Sequence, residues 1–303
     1  MKRHFDIKNL CLISIMTSIN IIFVILNLFF SLFSLIILIG IPLGATIIKL
    51  KVSTKYQLIY LLSSILICSL IDFQISLFYI IPGLITGFIF GLLVNKKVHG
   101  FLIIIITSLF NIILQWLSFY IIKYLFNADM ISFFANLFGV SLSRFKDIYL
   151  VFLFLISLIQ MLFSYFVIEE EIKKFNYSID ENYSIFYIIF SMGLFFSLLG
   201  IIVLINKSIG YLFSSLGMLF NGYLLLYLFK YRCKLINYSI IATYVLTFFI
   251  SLSIFNKIND ISLLFTFFSL TSSLNGVIFI IYVTIIRKEK ITSLLFNKID
   301  KKR

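Results

Sequence analysis

The chain reads as long apolar runs broken by short charged or polar interruptions. From Lys8 to Lys49, 40 residues pass without a charged side chain, when about 20 suffice for a helix to cross the hydrocarbon core of a bilayer. The pattern predicts a helical hairpin there, Leu10–Phe30 and Ser31–Ile48, turning near Ser31 and Ser34. Further crossings are expected at Tyr56–Ile71, Ile75–Val94, Phe101–Phe126 and Ile148–Ile168. Four more follow at Ser184–Ile205, Ile209–Phe229, Ile236–Phe255 and Ile261–Ile286. The runs are continuously apolar rather than alternating, which favours helices over barrel strands. The expected fold is an all-α, polytopic transmembrane bundle of ten helices.

Charge orients the bundle. With ten crossings, 20 of the 25 Lys and Arg residues fall on the side shared by both termini and the even-numbered turns, and five on the other. Basic loops stay in the cytoplasm, so both ends are expected inside, in the cell membrane. The acidic stretch 169–183, with Glu169, Glu170, Glu171, Asp180 and Glu181, is expected to be a cytoplasmic loop. It divides a six-helix half, 1–168, from a four-helix half with a basic tail, 184–303. The external stretch 127–147 carries Phe133, Phe134, Leu137, Phe138 and Val140 and reads as a short interfacial helix or as a plain connector.

Composition agrees with a membrane chain: 62% of residues are hydrophobic and 12% charged, with a mean hydropathy of +1.14. A net charge of +13 would suit nucleic acid, but the basic residues lie in short runs between apolar spans rather than along one face. Cys11, Cys68 and Cys233 are isolated, and the two histidines, His4 and His99, stand in basic segments. Neither a disulfide framework nor a metal site is expected. No cleavage pattern follows the first apolar run, so that helix is expected to be retained.

Catalytic signatures are missing: no Walker A loop, GxSxG elbow, HExxH pair or Rossmann glycine fingerprint occurs. An enzyme is not expected, and no cofactor is implied. Ionisable residues inside the spans, the usual mark of ion-coupled transport, reduce to Asp72 at the end of the third crossing. It reads either as a receptor for a cationic or hydroxylated solute or as an N-cap for the next helix. On the fifth crossing Asn111 and Gln115 share a face, and Trp116 follows them. They are expected either to bind a small polar ligand or to hydrogen-bond a neighbouring helix. Pro42 and Pro82 break the second and fourth crossings, each freeing an upstream carbonyl. Gly83, Gly87 and Gly91 form a small-residue stripe, and Ser14 and Ser18 a small pair on the first helix. Asn221-Gly222 and Asn275-Gly276 are a faint internal echo.

Several of these segments carry a resemblance. Ser14 and Ser18, Ile41-Pro42-Leu43-Gly44 before a basic turn, and Pro82-Gly83 through Gly87 and Gly91 to Lys96-Lys97 resemble the YybS-like family of predicted bacterial membrane proteins. Asn275-Gly276 through Arg287-Lys288 and Leu294-Leu295-Phe296 is similar to that family's C-terminal helix and exit. The N-terminal part in turn resembles the substrate-binding S components of energy-coupling factor transporters. That resemblance implies about six helices, a solute site near the outer face, and docking through small residues on the first helix, here Ser14 and Ser18. The implied partner is a transmembrane coupling subunit with paired ATPases.

Three functions follow in order of expectation. The first is a solute-binding transport component that lacks its own ATPase. The second is a membrane assembly or scaffold factor for envelope or division machinery, working through helix contacts. The third, a lipid-linked envelope enzyme, has only Asp72, Arg144, Lys146 and Asp147 to draw on and ranks last.

Overall fold

In the computed structural model, described residues are 2–30, 33–137, 141–179, 186–204, 206–230, 238, 241–243, 245–247, 249–250 and 261–281. Their elements are helical. The chain divides into two compact units, Met1–Glu181 and Asn182–Arg303.

In the first unit, α1 (Lys2–Phe29), α2 (Phe33–Lys51) and α3 (Thr54–Ile71) follow one another. Next come a single turn, α4 (Phe73–Ile75), a π-helical turn at Ser76–Ile80, and α5 (Ile81–Asn95), which run on as one apolar span. Then come α6 (Gly100–Phe126), the short α7 (Met130–Leu137) and the long α8 (Leu142–Lys173). Helix ends follow local chemistry. Asp72 Oδ1 accepts the Ile75 amide at 2.7 Å and caps α4. Asn127 closes α6 at φ 51°, a left-handed conformation that asparagine tolerates.

Among the described residues, five helices are long and apolar enough to cross a membrane: Ile7–Phe29, Thr54–Ile71, Phe73–Asn95, Gly100–Phe126 and Phe152–Lys173. The hairpin expected before Lys49 appears as two helices, α1 and α2. Two boundaries differ from expectation. Helix α8 begins at Leu142 and runs to Lys173, so Glu169, Glu170 and Glu171 lie on its last turns rather than in a loop. They stay helical because Lys173 pairs with Glu169 at 2.5 Å and Lys174 with Glu171 at 2.6 Å, across single turns. The stretch 127–147 contains α7, whose Phe134 stacks on Phe119 and meets Phe152, while Phe133 faces outward. Phe138 and Val140 lie outside the described residues, as do the side chains of Arg144 and Asp147; Lys146 is exposed.

The most extensive contact in the unit joins α2 to α5. A Cβ at Gly83 would stand 2.8 Å from the Ile41 side chain; at Gly91 it would stand 2.8 Å from Lys49 Cβ. At Gly87 it would strike the Pro42 carbonyl oxygen and come within 2.6 Å of Ala45 Cβ. Absent side chains thus let the two backbones meet, and dispersion between them replaces a hydrophobic force that lipid does not supply. The Thr46 hydroxyl lies 2.8 Å from the Pro42 carbonyl and 3.0 Å from that of Gly87, so one proton is shared between the helices.

The second unit contains α9 (Phe186–Leu199) continuing into a 3₁₀ turn at Gly200–Leu204, α10 (Lys207–Lys230) and α11 (Ile261–Ile281). Helix α10 packs against both others. The crossing expected at Ile236–Phe255 falls mostly outside the described residues; those described within 238–250 are helical. Cys233 and the tail after Ile281 lie outside them too.

The α2–α5 geometry yields a comparison. Gly87→Ala destabilises the protein by about 1–3 kcal/mol through overpacking against rigid backbone. Gly44→Ala, whose new Cβ would meet the Tyr60 hydroxyl at 3.4 Å, is close to neutral. Thermal unfolding of the two variants in detergent measures the difference; equal melting temperatures contradict the packing assignment.

Candidate functional site

The candidate site is the polar interior of the first unit, built around the two proline breaks. Pro42 has no N–H, so the carbonyl four residues earlier, that of Leu38, loses its helical partner. Two side chains of α8 take over: Gln160 Nε2 donates to Leu38 O at 3.3 Å and Ser164 Oγ at 3.4 Å. The same Gln160 accepts at Oε1 from Asn111 Nδ2 at 2.8 Å and from Gln115 Nε2 at 3.3 Å, both on α6. Ser157 Oγ donates to Gln115 Oε1 at 3.4 Å. The chain Asn111–Gln160–Leu38 therefore ties three helices together, with Asn111 fully buried and Gln115 and Gln160 nearly so.

Pro82 has a matching arrangement one helix away. The π turn ends with the Ile81 amide bonded to Ser76 O, five residues back. The next bond of that register would run from residue 82 to Leu77 O, which Pro82 cannot donate. Ser118 Oγ of α6 fills the vacancy at 2.9 Å. Both breaks are thus closed by side chains from neighbouring helices, which is the condition for tolerating them in a membrane interior.

The expected residues separate. Asn111 and Gln115 come together; Trp116 does not join them. One position further round the helix, its ring is 39% exposed and lies edge-on to Tyr120 with centroids 4.7 Å apart. Asp72 is spent on its cap and stands on a different helix. Ser14 and Ser18 lie on the exposed face of α1, with Ser14 Oγ bonded back to Leu10 O. Two polar groups on the inner face of α6, Asn111 Oδ1 and Ser108 Oγ, have no hydrogen-bond partner among the described residues.

Two further polar clusters stand elsewhere, the first missed in the sequence and the second built on its Asn-Gly echo. On α1 and α3, Asn20 Nδ2 donates to the Tyr60 hydroxyl at 2.9 Å and to Ser64 Oγ at 3.1 Å. The signal was present: Thr17 and Asn20, and Tyr60 and Ser64, have helical spacing. In the second unit, Asn221 Nδ2 lies 2.9 Å from Ser197 Oγ, 3.0 Å from Ser269 O and 2.8 Å from Ser273 Oγ. Asn275 Oδ1 accepts from Thr243 at 2.9 Å. The two Asn-Gly positions therefore share a role as buried helix ties, and a Cβ at Gly276 would press on Phe190 and Leu224.

Comparison with known proteins adds one similarity. Residues 18–152 match a family described as predicted membrane protein (DUF2232). No curated protein matches the chain, and no solved structure does. The match and the apolar helices make this a multi-pass membrane protein.

The coupling between Pro42 and Gln160 is measurable. Gln160→Leu takes one of two donors from the Leu38 carbonyl and strands the α6 amides, and is expected to cost about 1–3 kcal/mol. In a Pro42→Ala background the helix regains its own donor, so the same change costs less, with a coupling of about 0.5–1 kcal/mol. A double-mutant cycle of denaturant unfolding reads it; strict additivity rules out the repair.

Proposed function

We propose that this multi-pass membrane protein is a non-enzymatic assembly or scaffold factor that works through helix–helix contacts. The observation carrying this reading is the use of its intramembrane polar side chains: Gln160, Ser164 and Ser118 are committed to carbonyls freed by proline, and Asn111 and Gln115 to Gln160. Groups held that way maintain a shape rather than await a solute. The shape leaves an outward face on α1, with Ser14, Ser18 and Ile22, as a surface for another membrane protein. The topology that goes with it is ten crossings with both termini in the cytoplasm, supported by the distribution of Lys and Arg.

A second reading rests on a specific observation. Asn111 Oδ1 and Ser108 Oγ lie one turn apart on α6, buried and unpartnered among the described residues. A small polar solute that donates hydrogen bonds would satisfy them. That is what a solute-binding transport component powered by a separate coupling subunit and its ATPases requires, as the resemblance to S components suggests.

Native mass spectrometry of the gently solubilised chain separates the two. The assembly reading expects a membrane-protein partner that is lost on Ser14→Phe/Ser18→Phe, and no stoichiometric solute. A retained small molecule that disappears on Asn111→Leu establishes the transport reading instead. For the topology, a fluorescent protein fused after Arg303 is expected to fluoresce and alkaline phosphatase fused there to stay inactive. The reverse result refutes a cytoplasmic C-terminus.

A further inference from the structure

The start of α1, the end of α2 and the segment after α8 line a half-open cavity of about 480 Å³ in the first unit. Its polar lining is Lys8, Asn9, Lys51 and Tyr177. Its apolar lining includes Leu12, Ile15 and Leu50. Among the described residues, its lining includes two cations and no carboxylate.

Each polar group has a distinct state. The Lys51 ammonium is held 3.1 Å from the centre of the Phe175 ring. Partial burial, and then the charge of Lys8, push its pKa below the ordinary lysine value. Two like charges facing one space favour an anion between them. The Asn9 side chain is 5% exposed, and its Nδ2 has no acceptor among the described residues. A buried N–H donor in that condition calls for an oxygen acceptor. The Tyr177 hydroxyl is already committed, donating to Leu50 O at 2.8 Å, and so fixes the rim. What remains is two ammonium groups and one amide N–H, a donor set for an oxyanion.

The apolar wall decides which oxyanion. Ile15 is 51% exposed and lies on the outward side of α1, in line with Ile22. This path leads from the charged end of the helix along the apolar span Ile7–Phe29. A free inorganic anion has no use for such a path, whereas an acyl chain does. Basic pockets between helices at the membrane surface take anionic headgroups.

We propose that this cavity binds the phosphate of an anionic phospholipid, with an acyl chain along Leu12 and Ile15. The full chain in detergent, titrated separately with phosphatidylglycerol, phosphatidylcholine and inorganic phosphate, tests it by native mass spectrometry. Phosphatidylglycerol is expected to give a stoichiometric adduct whose apparent affinity falls at least tenfold in Lys8→Gln/Lys51→Gln. Lys8→Gln alone lowers it several-fold, and Lys51→Arg retains it; both serve should the double variant not fold. Phosphatidylcholine is expected to bind no better than phosphatidylglycerol does to the double variant. Equal binding of the two lipids, or no loss in any lysine-to-glutamine variant, overturns the site. Displacement of the lipid by equimolar inorganic phosphate overturns the lipid as its source.

Discussion

A backbone carbonyl in an apolar interior must find a donor, and in the first unit this requirement settles where α8 stands. Pro42 withdraws one N–H from α2, and Leu38 O turns to Gln160 and Ser164. Because Gln160 also accepts from Asn111 and Gln115, the repair of α2 recruits α6. One missing hydrogen thus makes three helices mutually dependent. Without water at that depth an unpaired group costs several kcal/mol, more than most single packing contacts provide.

The same proline serves the second constraint, close approach. Its carbonyl oxygen marks the place that a side chain at Gly87 would occupy. Thr46 then binds Pro42 O and Gly87 O with one hydroxyl. The bend, the glycine stripe and the threonine are therefore parts of a single contact between α2 and α5. On the far side of α5, Ser118 performs for Pro82 what Gln160 does for Pro42. At both proline breaks, polar side chains of a neighbouring helix are spent on the freed backbone carbonyl.

The placement of apolar runs, prolines and glycines could be read along the chain because these act through local properties: length, a missing N–H, a missing Cβ. The hairpin before Lys49 and the stripe Gly83, Gly87 and Gly91 belong to this class. The partners could not be read. Gln160 lies 122 residues from Leu38 and 49 from Asn111, and nothing local distinguishes it from a residue facing lipid. Trp116 shows the opposite failure. Adjacency in sequence suggested a shared site with Gln115, but one step along a helix turns a side chain through about 100°. Solvated charge predicts a loop for the acidic run after Ile168; single-turn pairing with lysines keeps its start, through Lys173, helical.

In the second unit, the Asn221 amide nitrogen has two hydrogens but faces three oxygens within 3.0 Å, supplied by α9 and α11. These acceptors sit on helices that rise about 1.5 Å per residue. A slip of either helix by one residue would carry its oxygens out of reach, while the surrounding leucines and phenylalanines would repack with little change. Asn221 therefore acts as an index pin: apolar contacts hold the helices side by side, while this amide, together with the Ser197–Ser269 hydroxyl contact, sets how far along each other they stand.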